Sequence, residues 1–449
     1  MFNLTIREHE TSRPIAAAEL REVLDDAAYR RIEEHPIGTF FKQRVKDNAE
    51  PAFSAVKIAT SDGFAVQVQG SYFVGIDWVF PGAVSIQVLP KVPDIDMPAM
   101  LKRALGTADS VKELDGLVTV RQNEKPIPEA EECDRFLLFV AAAFLQITRR
   151  IVRKGLLKSF RTEDETFRYR IKGKLRVSDT LRKMRLGDPF ARAVCSPQRF
   201  DADSPANRFL KFVLRRICAL LSSRARALGS AGRLLSGEAA RLLRSFGEVS
   251  DLRTWCRGDA APVVNPVFSE YVAALKLGRQ FLLQEGIGAF QKSESEPRRI
   301  VPYWIDMAQL FELYVLADLH DNPKVRDVHY HRTFQVGGQP DFLLDLRGSE
   351  LPFECCVADA KYKPRYAEQE LGLNDARQLS GYGRLKSVIG WMTQRGHSDR
   401  KYIVPCLVVY ADPSSANERV DFTKLTPLTH WEDFWKIGIR LPQLPKESA

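Results

Sequence analysis

The sequence contains no apolar run approaching the roughly 18 residues of a membrane-spanning helix. Its opening stretch, MFNLTIREHETSRP, lacks the apolar centre of a secretion signal. Cysteine is scarce: seven are present, an odd number with no CxxC spacing, which argues against a disulfide framework or a cysteine zinc site. The adjacent Cys355 and Cys356 fall on a predicted strand, face opposite sides and read as core fillers. These features point to a soluble protein of a reducing cytoplasm, with no membrane partner. No GxxxxGK(S/T) phosphate loop occurs, because IKGKLRV lacks both the upstream glycine and the following hydroxyl. The chain is therefore expected to bind no nucleotide itself. It also shows no internal repeat and no low-complexity tract.

What is present is a composition of 45% hydrophobic and 27% charged residues over 449 positions. That length exceeds one ordinary core and predicts two or three domains. The net charge of +9 is unevenly spread. Between Arg149 and Arg253, 26 Lys and Arg stand against 10 Asp and Glu, giving +16 and leaving −7 for the rest. A basic middle beside acidic flanks fits contact with a phosphate backbone or an acidic partner. The plainer alternative is a set of solvated helix faces.

After an opening helix around 16 to 34, the N-terminal third reads as mostly β. AFSAVKIAT, FAVQVQG, YFVGIDWVF and AVSIQVLPKV alternate with period two between Gly, Pro and Asp. The segment 91 to 128 mixes a short helix with proline turns. A proline-free helical run extends from Glu129 to about Leu157, and a hairpin is predicted at TFRYRIKGKLRV. Ser204 can cap the next helix, with Pro205 in its first turn. Helices continue to VFSEYVAALKLGRQFLLQ, and the polar QKSESEPRRIVP (291 to 302) reads as a linker. Three domains are expected: a β-rich one over 1–128, a basic helical middle with a hairpin over 129–290, and a third over 295–449.

The chemistry concentrates in QPDFLLDLRGSELPFECCVADAKYKP. Pro340-Asp341 heads one apolar run, and Asp359-Ala360-Lys361 ends another. Two carboxylates on neighbouring strand ends suit a hard divalent cation beside a phosphodiester. Lys361 then supplies a point cation where the attacking water and the developing charge need one. Around this motif the pattern predicts a helix over 303–320, a strand at VRDVHYHRTFQV and a turn at Gly337-Gly338. Strands at PDFLLDL and PFECCVADAKY follow, then a helical stretch over 367–392 and a last strand at KYIVPCLVVYA.

Motif and element order together resemble the PD-(D/E)XK nuclease superfamily. The resemblance implies an α+β multidomain chain ending in a restriction-endonuclease-like α/β domain. It also implies a DNA endonuclease with Asp341, Asp359 and Lys361 as catalytic residues. Mg²⁺, with Mn²⁺ as substitute, would be held by Asp341, Asp359 and the Ala360 carbonyl. Glu312, on the preceding helix, either completes the metal shell or stays a solvated carboxylate. Gln378 and Tyr382 lie i, i+4 on one helix face and resemble the QxxxY pair of the RecB-like and Cas4-like branch; an exposed polar face is the alternative. Lys363 points the same way as Lys361 and either touches phosphate or is a strand-end charge. His329 and His331 read as structural or DNA-facing, and Asp345 as a strand-end charge.

Over about 70 to 410 the chain is similar to the McrC family, the nuclease subunits of prokaryotic McrBC-type modification-dependent restriction systems. The likeness rests on SYFVGIDWVFPGAVSIQVLPKV, YRIKGKLRV, FDADSPANRFLKFVL, VPYWIDMAQLFELYVLADL, QPDFLLDL and VADAKYKP, in that order. The central motif reads KGKL where an arginine often follows that glycine in the family. The resemblance implies a partner, a McrB-like hexameric AAA+ GTPase that recognises modified DNA, and a substrate of double-stranded DNA. Arg168, Arg170, Lys172 and Lys174, alternating on the expected hairpin, are candidates for reaching that ring or DNA, with simple surface exposure as the alternative. A stand-alone RecB/Cas4-like nuclease and a non-catalytic activator of a motor ring are the competing readings.

Overall fold

The computed structural model describes all residues except 46–49, 108–115, 122, 129, 186–191, 224–228, 256–261, 263, 290–298, 332–338, 349, 396–403 and 445–449. The Gly337-Gly338 turn and most of the expected linker at 291 to 302 lie outside the described residues. The chain divides into two compact units: Met1–Ala143 with Gln284–Ala449, and Phe144–Leu283. No helix among the described residues is long and apolar enough to cross a membrane.

In the first unit the two ends of the chain, expected as separate domains, fold together. The reason is a short strand, Tyr303–Asp306, in a segment that the pattern predicts as helix. Its Tyr, Trp and Ile favour a pleated surface, and Asp306 starts the helix only afterwards. The Asp306 side chain accepts a 2.9 Å hydrogen bond from the Gln309 amide and caps Met307–His320. The strand is inserted between Phe73–Phe80 and Val118–Val120, within a five-stranded sheet that also holds Phe2–Arg7 and Val84–Leu89. Trp304 pairs with Gly75, and that glycine is required by space: a Cβ there would lie 2.1 Å from the Tyr303 carbonyl oxygen. Buried Asp77 binds the inserted strand further, accepting from Trp304 Nε1 at 3.0 Å and from Arg121 at 2.8 Å.

A four-stranded antiparallel sheet, ordered Ile15–Ala16, Gly63–Gly70, Phe53–Thr60 and Gly38–Gln43, shares its core with this one. The strand runs expected between 52 and 92 are borne out as Phe53–Thr60, Gly63–Gly70, Phe73–Phe80 and Val84–Leu89; the opening helix is two, Ala17–Val23 and Asp26–Glu34. The helix Met97–Ala104 packs on Met307–His320, where Arg103 bonds Tyr314 and pairs with buried Asp318.

The six-stranded sheet carries the DxK motif. Its order is Val325–Tyr330, Phe342–Leu346, Cys355–Lys361, Cys406–Ala411, Phe434–Ile439 and Thr426–Pro427. Cys355–Lys361, Cys406–Ala411 and Phe434–Ile439 are mutually parallel and almost continuously apolar, as strands covered on both faces are. Cys355 and Cys356 are buried there, as expected. The helical stretch over 367–392 forms two helices, Leu373–Gly383 and Lys386–Thr393, because Leu385 turns extended between them (φ −69°, ψ 126°).

The second unit combines helices with two small sheets. The helix Pro205–Ser223 begins as expected, with Ser204 Oγ accepting from the Asn207 amide at 3.2 Å. Asn207 is fully buried and binds the carbonyls of Leu157 and Ala202 and the hydroxyl of Tyr271. Asp203 accepts from Arg208 twice, at 2.8 Å each, and from Ser250. The DSPANRF motif is thus a structural clamp.

The predicted hairpin does not form. Glu165–Arg168 and Lys174–Leu175 each pair with Arg192–Ser196 and not with one another. Arg168 and Lys174 end up on separate strands, with Arg170 and Lys172 in the exposed connection, so the four do not alternate along one face. Gly173 closes that connection at φ +75°, where a Cβ would meet Pro197 Cα at 2.6 Å.

Candidate active site

The antiparallel register Phe342↔Ala358, continued by one residue, sets Asp341 across from Asp359. The pairing is pinned by the Ala360 amide, which donates to Asp341 Oδ2 at 2.9 Å. Asp359 and Lys361 are two residues apart on one strand and therefore share a face. Lys361 Nζ lies 2.6 Å from Asp359 Oδ2, and Asp359 is 2% exposed. Asp341, Ala360 and Lys361 line a cavity of about 800 Å³, with Glu312 entering from the helix Met307–His320.

Glu312 is not a free helix carboxylate. His331, one residue beyond the strand Val325–Tyr330, pairs with it through Nε2. The His331 amide also donates to the Asp341 carbonyl at 3.0 Å, so the pairing that aligns Asp341 with Asp359 on one side aligns it with His331 on the other. One donor atom each from Glu312, His331 and Asp341 lies within 4.8 Å of the others. Trans ligands of a small octahedral cation stand about 4.2 Å apart, so this spacing fits a metal with little adjustment. His331, read from the sequence as structural or DNA-facing, therefore belongs to the carboxylate cluster. His329 does not: its Nε2 meets Asp327 at 2.9 Å and Arg395 at 2.9 Å, and its ring packs edge-on against Trp391.

The electrostatics are those of crowded acids. Burial, then the neighbouring Asp359 and Glu312 carboxylates, push Asp341 well above the ordinary aspartate value, with Lys361 opposing. Burial works against the Lys361 ammonium, but Asp359, Asp341 and Asp375 outweigh it and raise its pKa above the usual lysine value. Lys361 is thus firmly charged at the cavity wall.

The remaining candidates sort by contact. Lys363 lines the cavity and pairs with Asp375 at 2.6 Å; Asp375 also takes the Tyr366 hydroxyl. Asp375, on the helix Leu373–Gly383, carried no motif that would have singled it out. Gln378 and Tyr382 bond one another at 3.1 Å on that helix and are not among the residues lining the cavity. Asp345 is a buried strand-end charge, 3.3 Å from Arg326.

A family model described as "McrBC 5-methylcytosine restriction system component" matches residues 72–391. A search of curated proteins returns no match. Among solved structures, the chain is similar to one in a refined half-complex from a tetradecameric assembly of Thermococcus gammatolerans McrB AAA+ hexamers with bound McrC. There the identity is 16% and the TM-score 0.40, over 99% of this chain and 95% of that one. A second likeness is to a chain of the Thermococcus gammatolerans McrBC complex solved by cryo-EM, at 16% identity and TM-score 0.30, over 71% of this chain and 87% of that one. With its match to the family model spanning well over half its length, the chain belongs to the McrBC 5-methylcytosine restriction system component family.

Proposed function

We propose that this chain is the metal-dependent endonuclease subunit of its restriction system, of the PD-(D/E)XK type, hydrolysing phosphodiester bonds of modified double-stranded DNA. The observation that carries the reading is the meeting of Asp341, Lys361 and Glu312 at one cavity, with Asp359 paired to Lys361 and His331 paired to Glu312. Asp341, Glu312 and His331, with Asp359 adjacent, would hold the divalent cation. The oxygen donors suit Mg²⁺, and the imidazole makes Mn²⁺ an equally fitting occupant. When bound, such a cation lowers the pKa of water and offsets charge on the scissile phosphate.

The protein's own groups do the rest. Lys361, oriented by Asp359 and kept protonated, stands ready to stabilise negative charge developing on a phosphate oxygen. The Ala360 amide fixes one Asp341 oxygen at the edge of the cavity. Tyr362, Lys363 and Pro364 continue the chain along the cavity wall.

The chain's sequence holds no phosphate loop, and its family is a multi-component restriction system. The partner in this reading is a McrB-like hexameric AAA+ GTPase, which this subunit binds and stimulates. The exposed Arg168, Arg170, Lys172 and Lys174 remain the candidates for contact with the ring or DNA.

The test is cleavage of methylated duplex DNA by the full chain with its ring partner, Mg²⁺ and GTP. Asp359→Asn, Asp341→Asn and Lys361→Ala should each reduce the rate by about 10²-fold or more while leaving GTP hydrolysis by the complex unchanged. Cleavage near wild type in folded Asp359→Asn would overturn the assignment.

A further inference from the structure

The cavity above Asp341 is not lined by the C-terminal segment alone. His9 and Lys91, which lie two residues past the strands Phe2–Arg7 and Val84–Leu89, face it together with Lys363 and Arg365. The four form one electrostatic group: Lys363 and Arg365 act on both His9 and Lys91, and Lys91 acts on His9. Glu50 is an acid at the same cavity, and the carboxylates Glu312 and Asp341 also line it.

Lys91 is placed with care. Its amide donates to Glu8 Oε2 at 2.9 Å, its Nζ lies 3.7 Å from Glu8 Oε1, and it sits 4.0 Å from the centre of the Tyr362 ring. Tyr362 directly follows Lys361, so the end of the N-terminal sheet abuts the end of the DxK strand. The Lys91 side chain is only 18% exposed, so most of its stem is removed from water. Glu8 offsets Lys91 and Asp375 offsets Lys363, while Arg365 and His9 lie at the same cavity beside them. A row of phosphates passing the cavity would meet these basic groups, which replace the cations condensed along a free duplex.

We propose that Lys91 and His9 grip the phosphate backbone of the duplex beside the scissile bond, so that the N-terminal segment is half of the DNA-binding wall of the nuclease site. This rests on the nuclease reading for the nature of the substrate. The competing explanation is that Lys91 serves only as counter-ion to buried Glu8.

The experiment measures binding of a short unmodified duplex by the full-length chain across a salt series. Lys91→Gln should weaken binding and reduce the slope of log K against log salt by about 0.9, the value of one phosphate contact. The Glu8→Gln/Lys91→Gln double variant, which leaves no unpaired buried charge, should show the same loss, and Lys91→Arg should restore the wild-type slope. His9→Gln should weaken binding in the same direction. A wild-type slope in the folded double variant, or no salt-dependent binding by the wild-type chain, overturns the proposal. Asp359→Asn separates it from the parent reading: it should keep the wild-type slope while losing cleavage. Were Asp359→Asn still to cleave, the nuclease reading would fail whatever Lys91 does.

Discussion

His331 and Glu312 face each other, imidazole Nε2 against carboxylate Oε1, from just past a strand end and from the middle of a helix. The contact ties the edge of the six-stranded sheet to the helix that follows the inserted strand Tyr303–Asp306. It also turns a solitary-looking helix acid into one arm of a three-residue donor set with Asp341.

The first prediction follows from that donor set. His331→Ala should weaken Mn²⁺ binding by the full-length chain by at least the roughly 10–100-fold that outer supports of metal ligands are worth. Mg²⁺, which prefers oxygen, should be affected less. Calorimetric titration with each ion checks this, and equal losses for both would remove the imidazole from the ligand set.

A second prediction concerns Gly75. A side chain there has no space, because Tyr303 O would stand 2.1 Å from its Cβ and belongs to backbone paired on both sides. Gly75→Ala should cost about 3 kcal/mol, read as a lower denaturation midpoint. Since the displaced strand leads into the Glu312 helix, cleavage should fall as well. A variant as stable as wild type would mean that the strand can move aside freely.

The third is a pH effect. Burial raises the Glu8 carboxyl from the usual 4.5 to about 7, against the pull of Lys91. In that window the folded chain holds a proton that the unfolded chain has released. Stability should therefore fall as pH rises from about 4.5 to about 7, and the contribution is fully present only below the lower value. Glu8→Gln should flatten this part of the profile in thermal melts between pH 5 and 8. An unchanged slope in Glu8→Gln would assign the effect to another group.

Much of the candidate site was legible because it is local. Asp341, Asp359 and Lys361 sit within one stretch whose strands pair as neighbours, so period-two patterning places all three at the same end of a sheet. His331 needed one further step: it precedes Asp341 by ten residues, and only the register of Val325–Tyr330 against Phe342–Leu346 brings them level. Lys91 and His9 were beyond reach, since their approach depends on how distant parts of the first unit pack. The same applies to the division of the chain. A polar stretch before Val301 looks like a linker, yet the four residues Tyr303–Asp306 complete a sheet begun more than two hundred residues earlier. The expected hairpin failed for a related reason, because a third strand, Arg192–Ser196, lies between its two halves.

The insertion of Tyr303–Asp306 also orders events during synthesis. Phe73–Phe80 emerges from the ribosome with one flank unpaired and waits roughly 220 residues for its neighbour, on the order of ten seconds or more at ordinary elongation rates. Until then the first sheet has an open edge, a feature that invites aberrant pairing with other nascent chains. Asp341, Asp359 and Lys361, the residues proposed to act on phosphodiester bonds, are translated later still. A nascent chain that has not yet reached Asp359 and Lys361 therefore holds neither a closed first sheet nor the carboxylate cluster, and the proposed chemistry has no site until both are made.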